Sequence, residues 1–422
     1  MLQLNYIKEN KQATIDSLKR KYFKNAEKTI EMVLSIDQKR RETQTELDAT
    51  LGRANTLAKE IGGLMKAGKK DEAEAAKAET AELKVKSKSL EEELKASESE
   101  LYEVMITIPN LPHVSVPDGR TPEENVTIFQ AGIIPELHEG ALPHWELIKQ
   151  YDIIDFDLGN KITGAGFPVY KGKGARIQRA MINFFLDEAL AAGYVEIQPP
   201  ILINKESGFG TGQLPDKEGQ MYHSTVDDLY LIPTAEVPVT NIYRDVIVAE
   251  NDLPIKNAAY TPCFRREAGS WGAHVRGLNR LHQFDKIEIV QIRKPEESYQ
   301  ALDEMVNHVK SLLEKLELPY RILRLCGGDM GFTSALTYDF EVYSAAQKRW
   351  LEVSSVSNFE SYQANRLKLR YKVEGKTQLL HTLNGSALAL PRILASILEN
   401  FQTPEGIKIS KVLVPYCGFE MI

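Results

Sequence analysis

The sequence predicts an α+β protein in two parts: a long antiparallel helical hairpin near the N-terminus, then a larger domain built on a mainly antiparallel β-sheet flanked by helices. Residues 27–103 contain no proline and one aromatic residue, and alanine, glutamate, lysine and leucine dominate them, a composition typical of long helices. Beyond residue 281, strand-like segments follow one another with few helices between them, which favours an antiparallel sheet. Neither GxGxxG nor GxxxxGKS/T occurs, so the two common nucleotide-binding folds are not predicted.

Composition limits the classes of partner. The net charge is −7 over 422 residues, so any contact with nucleic acid must depend on local basic patches. Cys263, Cys326 and Cys417 lie far apart, a spacing that predicts reduced core thiols and no zinc site. The N-terminus has no apolar signal segment and no run of 18 apolar residues exists, so we expect a cytoplasmic protein without a membrane partner.

The first element expected is a two-helix coiled coil. Apolar or small residues step by four and three in two runs on either side of Gly62, Gly63 and Gly68, where we expect the chain to turn. Each helix should be about 35 residues long, or roughly 50 Å. The predicted seam of the first helix is Leu47, Leu51, Ala54, Ala58, Ile61 and Met65, and that of the second is Ala73, Ala76, Thr80, Leu83, Ser87, Leu90, Leu94, Ser97, Leu101 and Val104.

This arm ends where prolines interrupt it. Pro109, Pro112 and Pro117 cannot continue a helix, so we place the domain boundary at residue 110 and predict domains 1–110 and 111–422. Composition alone favours a dimerisation or spacer element for the arm, because its lysines stand out only near the tip (Lys66, Lys69, Lys70) and at Lys84, Lys86 and Lys88.

The central element of the second domain is a predicted strand–loop–strand unit from Thr261 to Ile292, with apolar and polar residues alternating along its second strand. Alternation places Phe284 and Glu288 on one face, and Arg265 and Glu267 likewise share a face. A flat base can stack on Phe284 while Glu267 accepts from an exocyclic amine. Arg265 can grip a phosphate or carboxylate, and Glu288 can hold an ammonium group. An exposed hairpin with ordinary surface charges is the alternative.

FRRE followed by RGLNRLHQFDKIE closely resembles motif 2 (here about 258–292) of the class II aminoacyl-tRNA synthetases, in its seryl-tRNA synthetase form. The resemblance implies that Arg265, Arg266, Glu267, Arg276 and Phe284 bind ATP, with Arg265 on the α-phosphate and the serine carboxylate. It also implies that Glu288 belongs to the serine pocket and that the N-terminal arm grips tRNA. The loop WGAHV, 271–275, is less basic than in many relatives, so loop contacts to phosphate fall to Arg276.

Two further segments match the same family. The helix at 174–192 and the strand after it resemble motif 1 (about 174–203), which implies a dimer interface; spacing alone fits an ordinary edge strand equally well, because Pro199 and Pro200 confine that strand to an edge or a bulge. The TAE of Thr234, Ala235 and Glu236 matches the serine-binding element. A helix cap is the simpler interpretation of this TAE, and the two are compatible.

The C-terminal segments complete the predicted site. In WLEVSSVSN, a carboxylate and a hydroxyl suit Mg²⁺ on phosphates, and the resemblance implies that Glu352 and Ser355 hold the metal and that Glu352, Val353, Ser354 and Ser355 contact ATP. Glu352 and Ser355 are three residues apart, so a regular strand would point them to opposite faces and a bulge near Ser354 is required; a polar edge strand is the alternative. LLHTLNGSALALPRILASILENFQ resembles motif 3 (about 380–401), with Arg392 on the ATP phosphates and Asn384 and Ser386 in the serine pocket.

The resemblance therefore implies an ATP- and Mg²⁺-dependent, homodimeric enzyme that attaches L-serine to tRNA(Ser) through a seryl-adenylate, and to tRNA(Sec) where that tRNA exists. Arg265 and Arg392 are the expected catalytic residues. The nearer rival is an amino-acid:carrier-protein ligase of the same catalytic fold, which the long arm disfavours. The remoter rivals are a structural coiled-coil protein with a degenerate catalytic domain, and a synthetase for threonine, proline or histidine.

Overall fold

The computed structural model describes residues 1–216, 218–267 and 275–422. They form two compact units: residues 1–19 with 23–109, and residues 20–22 with 110–422. The first unit is helical. Its helices are α1 Leu4–Glu9, α2 Lys11–Arg20, α3 Ala26–Lys66 and α4 Lys70–Met105.

Helices α3 and α4 form the predicted antiparallel hairpin. Interhelical ion pairs show the antiparallel register, because the partner in α4 moves back as α3 advances: Lys39 with Glu93 at 3.1 Å, Glu46 with Lys86 at 2.7 Å and Arg53 with Glu79 at 2.8 Å. The helices have 41 and 36 residues.

The turn and the seam of α3 differ from the sequence prediction. Gly62 and Gly63 remain helical, and the chain turns at 67–69, where Gly68 has a φ of 73°. The predicted seam of α4 is correct, with every member buried or half-buried. The predicted seam of α3 is correct at Leu47, Ala54 and Ile61, which are buried or half-buried, and wrong at Leu51, Ala58 and Met65, which are exposed. The buried positions of α3 step by three after Leu47, to Thr50, and continue to Leu57. Leu57, which is larger than the predicted Ala58, therefore faces α4.

The second unit is built on an eight-stranded sheet with strand order β1-β11-β12-β13-β16-β10-β9-β4. Its neighbouring strands are antiparallel except β4 and β9, so the predicted fold class is confirmed. The strands of the unit are β1 Val126–Ala131, β2 Ile154–Asp155, β3 Val169–Tyr170, β4 Val195–Glu196, β5 Leu202–Ile203, β6 His223–Ser224, β7 Leu229–Leu231, β8 Ile247–Val248, β9 Ile255–Phe264, β10 Gln283–Arg293, β11 Tyr320–Arg324, β12 Leu336–Ser344, β13 Arg349–Asn358, β14 Arg370–Val373, β15 Lys376–Leu379, β16 His381–Ala389, β17 Gln402–Thr403 and β18 Gly406–Ile407.

Helices pack against this sheet and bury the main core. They are α5 His144–Gln150, α6 Phe156–Ile162, α7 Gly172–Ala191, α8 Lys205–Thr211, α9 Glu236–Asn241, α10 Ser298–Lys315, α11 Ser361–Leu367, α12 Leu390–Asn400 and α13 Val414–Cys417. Apolar residues of α7, α10 and α12 join those of the central strands in one cluster. Every residue of helix α12 except Arg392 is buried, and these include the polar residues Ser396, Glu399 and Asn400. No helix within the described ranges is both long and apolar enough to cross a membrane.

Two strand pairings position the functional residues. In the β9–β10 hairpin, Phe284 lies opposite Cys263 and Glu288 opposite Ala259. In the β12–β13 pair, the register shifts between Phe340 and Glu341. The loop between β9 and β10 includes residues 268–274, so the predicted departure at WGAHV falls, apart from Val275, outside the described residues.

Candidate functional site

A cluster of buried polar side chains, called the pocket below, lies between β10, β16 and the start of α9. Glu288 on β10 is 1% exposed. It accepts a hydrogen bond at 2.9 Å from Nδ2 of Asn384 and one at 3.5 Å from Oγ of Ser386. These two donors lie on β16, which pairs with β10 so that Glu288 is opposite Ser386. The structure thus brings together three of the residues predicted for the serine pocket.

The TAE segment forms the other side of this pocket. The backbone N–H of Glu236 donates to Thr234 Oγ1 at 3.3 Å, and Ala235 precedes the helix and is fully buried. Thr234 does not cap α9 in the ordinary way, because its hydroxyl reaches only the first turn residue. Burial, and then the nearby Glu288 carboxylate, raise the pKa of Glu236 to about 7.

Two residues of this pocket were missed by the sequence analysis. Lys286 Nζ is 2.6 Å from Glu288 Oε2 and donates to Thr234 Oγ1 at 2.9 Å. Gln363 donates to Glu236 Oε1 at 2.7 Å and accepts from Thr382 Oγ1 at 2.7 Å. The strand alternation that places Phe284 and Glu288 on one face also places Lys286 there, so the position of Lys286 could have been predicted. Gln363 lies on α11, far from any motif, and no local pattern indicated it.

Arg265 and Phe284 lie next to this pocket. The Arg265 guanidinium is 5.3 Å from the centre of the Phe284 ring, and its Nε donates to Pro233 O at 3.4 Å. The backbone N–H of Arg265 donates to His282 O, so the hairpin pairing continues one residue beyond β9. Arg265 is thus held between the pocket and the aromatic ring that was predicted to stack on a base.

Glu267 departs from the strand alternation used to place it. Strand β9 ends at Phe264, and Glu267 has a φ of 49°. Its carboxylate pairs with Arg280 at 2.8 Å, whereas its predicted neighbour was the Phe284 ring. The neighbouring Arg266 is exposed, and its backbone N–H donates to Gln220 O.

The bulge required by the WLEVSSVSN segment is present. Ser354 lies opposite Phe340 and Glu352 opposite Glu341, so Val353 is the extra residue. Since Ser355 lies opposite Asp339, the bulge turns Glu352 and Ser355 to the same face. Val353 and Ser354 are buried, and Ser354 Oγ donates to Ser386 O at 2.5 Å. Their predicted contact with ATP is therefore not available to the Val353 and Ser354 side chains and would have to use the backbone.

Arg392 of the motif 3 segment lies beside Glu352, on the face that Glu352 shares with Ser355. Arg392 Nη1 donates to Glu352 O at 2.7 Å and lies 3.6 Å from its carboxylate. Arg392 Nε donates to Asn279 O at 3.0 Å. Pro391 occupies the first turn of α12 without disturbing this arrangement. The pKa of Arg349 is lowered, first by burial and second by the nearby charge of Arg392. The two arginines therefore concentrate positive charge at this place.

Arg276 lies at the end of the β9–β10 loop, against α5. It pairs with Glu146 at 3.1 Å and stands 5.1 Å from the centre of the Trp145 ring. The adjacent His144 is fully buried and accepts the backbone N–H of Leu278 at Nε2, 2.8 Å away. Its Nδ1 therefore carries the proton and donates to Glu399 of α12 at 2.6 Å.

A further carboxylate lies beside the Glu352–Ser355 face. Asp339 is hydrogen-bonded by Ser355, and its pKa is well above the usual range because of burial and then the Glu352 charge. Among the residues that the structure describes, no three His, Cys, Asp or Glu side chains are arranged to hold a metal ion. Glu352 and Ser355 still fit Mg²⁺, because this ion usually takes one or two protein oxygens and completes its shell with phosphates and water.

Two family models match the chain. The seryl-tRNA synthetase N-terminal domain matches residues 1–112. The tRNA synthetase class II core domain (G, H, P, S and T) matches residues 221–401, which include the hairpin, the bulged strand and α12.

Similar proteins match over the whole length. The serine–tRNA ligase of Salinibacter ruber is 49% identical over 425 residues, covering 100% of this chain and 99% of its own. That of Chlorobium luteolum is 45% identical with the same coverage. The crystal structure of seryl-tRNA synthetase from Pyrococcus horikoshii complexed with ATP superposes with a TM-score of 0.94 at 30% identity, covering 100% of this chain and 99% of that one.

Proposed function

The chain belongs to the seryl-tRNA synthetase family, as its motifs predicted, and we infer from this membership that it attaches L-serine to tRNA with ATP. Serine is first activated as a seryl-adenylate, and the seryl group then passes to the terminal ribose of the tRNA. The carrier-protein ligase is not favoured, because the arm belongs to the synthetase N-terminal domain family.

The observation that carries this proposal is a row of groups that begins at a buried pair of carboxylates and continues to Arg265 and Phe284. Glu288 and Glu236 lie at one end, and Arg265 with Phe284 comes next. Arg392 on α12 contacts Glu352 on β13, and β13 is separated from β10 by β16 alone. An aminoacyl adenylate carries an ammonium, a phosphate and a base in the same sequence, and the row offers a partner for each.

We assign the serine end as follows. Glu288 and Glu236 accept hydrogen bonds from the ammonium and the hydroxyl of the substrate. Thr234, Asn384 and Ser386 complete the pocket, and Ala235 forms part of its wall. A pocket with buried acceptors discriminates against alanine, which would leave those acceptors unpaired.

We assign the ATP end from the same row. Arg265 binds the α-phosphate and the serine carboxylate and so brings nucleophile and electrophile together. Phe284 and Glu267 hold adenine, and Arg266 lies beside them. To bind the base, the Glu267 carboxylate must give up its ion pair with Arg280. Arg276 and Arg392 bind the outer phosphates, where their charge favours departure of pyrophosphate.

Glu352 and Ser355 are the proposed protein ligands of Mg²⁺. When bound, the ion neutralises charge on the ATP phosphates. The backbone of Val353 and Ser354 follows the same edge of the ATP site. No zinc is part of this proposal.

We assign the tRNA to the N-terminal arm, residues 1–110, and catalysis to residues 111–422. The arm carries both charges in nearly balanced numbers, so recognition would rest on RNA shape and backbone. The substrates are tRNA(Ser) and, where it exists, tRNA(Sec). The enzyme is proposed to act in the cytoplasm as a homodimer joined through motif 1.

The deciding experiment is ATP–pyrophosphate exchange by the full chain with each of the twenty amino acids. Serine should support exchange far above the other nineteen, and Arg265→Ala should lower it by at least about a hundredfold. Arg53→Ala, at an exposed arginine of α3, should leave it unchanged. Exchange with a different amino acid, or near-normal exchange by Arg265→Ala, would refute the assignment. Charging of deproteinised tRNA then separates a synthetase from a carrier-protein ligase.

A further inference from the structure

Lys286 places a cation inside the pocket assigned to serine. Its ammonium contacts the Glu288 carboxylate at 2.6 Å and the Thr234 hydroxyl at 2.9 Å, and the Lys286 side chain is only 7% exposed. We propose that Lys286 is a positioning and specificity residue for serine: its ammonium orients Glu288 and Thr234 and balances the charge of the pocket. This inference rests on the proposed function.

The backbone explains why Lys286 must face the substrate. Lys286 and Glu288 are two residues apart on β10, so both side chains point to the same face as Phe284. On the other side of β10, the pairing with β16 shifts register between Lys286 and Glu288. That shift sets Ser386 opposite Glu288, so the two β16 donors reach Glu288 from the neighbouring strand, whereas the ammonium reaches it from its own strand.

The orientation of Glu288 is fixed by these contacts. Asn384 donates to Oε1, while Lys286 and Ser386 approach Oε2. A carboxylate has about four lone-pair sites, so acceptor capacity remains for a ligand. A preorganised acceptor favours a ligand that carries the matching donor, and it penalises one that leaves it unpaired. Lys286 therefore acts on the choice between serine and alanine without itself contacting the distinguishing hydroxyl.

Charge balance gives a second, independent reason. The pocket holds two buried carboxylates, Glu236 and Glu288, and the cations around Glu236 are Lys286 and Arg265. Serine enters as a zwitterion, so a neutral pocket can take it without a change in net charge. Without Lys286, two carboxylates would share one guanidinium that is also required for the substrate carboxylate. An uncompensated buried charge is strongly unfavourable, and one carboxylate would then take up a proton.

The test measures serine-dependent exchange by the full chain, with KM determined separately for serine and for ATP. Lys286→Met should raise the KM for serine at least tenfold and leave the KM for ATP within about twofold, because loss of one partner of a buried ion pair acts where that pair lies. It should also reduce discrimination against alanine. Lys286→Arg, which keeps the charge, should restore most of the affinity for serine.

The pH profile separates this role from a merely structural one. Lys286 is one of the cations that hold the Glu236 pKa down, so its loss should raise that pKa further. The serine KM of Lys286→Met should therefore improve more steeply than that of the wild type between pH 7 and pH 9. Lys294→Met is the matched control. Lys294 follows the end of the same strand and pairs with Glu250 at the same distance of 2.6 Å, but at an exposed site; both constants should stay unchanged.

The outcomes are distinct. If Lys286→Met does not fold, Lys286→Arg and Lys286→Gln decide, and the proposal requires the charged variant to bind serine more tightly. Equal serine KM values in those two variants, or parallel losses for serine and ATP, overturn the role of Lys286 while the proposed function stands. Absence of serine-dependent exchange in the wild type overturns both.

Discussion

The Glu236 carboxyl is buried close to that of Glu288, and this proximity makes the site sensitive to pH. Burial first, and then the Glu288 charge, raise the Glu236 pKa from 4.5 to about 7. Its ionised form is opposed by both effects and is supported by Gln363, Lys286 and Arg265. The ammonium of a bound serine would add a further cation, so ligand binding should favour ionisation.

We predict that the KM for serine rises about tenfold as pH falls from 8 to 6, because a carboxyl with a pKa near 7 is mostly protonated at pH 6. Glu236→Gln should bind serine more weakly and lose this pH dependence. The same shift has a sign for stability: a raised carboxyl pKa stabilises the fold at low pH, and this contribution is lost as pH rises through 7. A wild-type serine KM that stays constant from pH 6 to pH 8 would contradict the assignment of Glu236.

Residue-scale patterns in the sequence were informative where the backbone is regular. Alternation placed Phe284 and Glu288 correctly on one face of β10, because a paired strand must alternate. It failed at Glu267, where the strand has ended and φ is positive. Gln363 could not be predicted, since it reaches Glu236 from a helix 127 positions away in the chain.

At the scale of elements, helix α12 joins the two proposed phosphate-binding arginines. It carries Arg392 near its start and Glu399 near its end. Glu399 holds His144, which accepts the Leu278 N–H, and Arg392 donates to Asn279 O. Gly277, which precedes Leu278 in this loop, must be glycine for two reasons. A Cβ at this position would lie 2.3 Å from His144 Nε2, and the Gly277 φ is 65°. The end of the β9–β10 loop is thus anchored to α12 from two sides.

We predict that His144→Phe raises the KM for ATP about tenfold and leaves the KM for serine nearly unchanged. The substitution leaves the buried Leu278 N–H without its acceptor, at a cost of about 1–3 kcal/mol, and so frees the segment that carries Arg276. Glu399 loses the ring donor but keeps its hydrogen bonds from Ser344, Gln347 and the His144 backbone N–H. His144→Gln retains one acceptor and one donor and should lie close to the wild type. An equal rise in both KM values, measured by exchange, would indicate a general loss of structure.

Two irregular elements show where prediction from sequence reaches its limit. The bulge at Val353 could be deduced, because two residues proposed for one metal ion cannot point to opposite faces. The phase of the α3 seam could not, since steps of four or of three after Leu47 give equally periodic runs and only packing against α4 selects between them. Local periodicity indicates that a helix has an apolar stripe, whereas its partner decides which stripe is buried.

At the scale of the whole molecule, the two units allow binding and chemistry to be tested apart. Residues 29 and 101 lie at nearly the same level of the α3–α4 hairpin, as the pair Lys39–Glu93 shows, so deletion of residues 30–100 can be closed with a short linker. We predict that this deletion keeps serine-dependent exchange within about threefold and abolishes charging of tRNA, because tRNA affinity would depend on the arm. Loss of both activities in a folded deletion variant would refute a separate role for the arm.

Assembly is the remaining property at this scale, and the motif 1 segment exposes apolar side chains that we propose for the dimer interface. Val195 lies on β4, which ends the eight-stranded sheet, and is 60% exposed; Leu202 lies on β5, which ends the three-stranded sheet β5-β7-β6, and is 45% exposed. Exposed apolar side chains on a sheet edge are unfavourable unless another surface covers them. We predict that the wild type sediments at twice the chain mass of 47.5 kDa at micromolar concentration. Val195→Glu with Leu202→Glu should sediment as a monomer, because each carboxylate would have to be desolvated at the interface. Val226→Glu, at a residue 93% exposed outside motif 1, should remain dimeric. A monomeric wild type would refute the homodimer. If the double variant stays dimeric, the interface must lie elsewhere than at Val195 and Leu202.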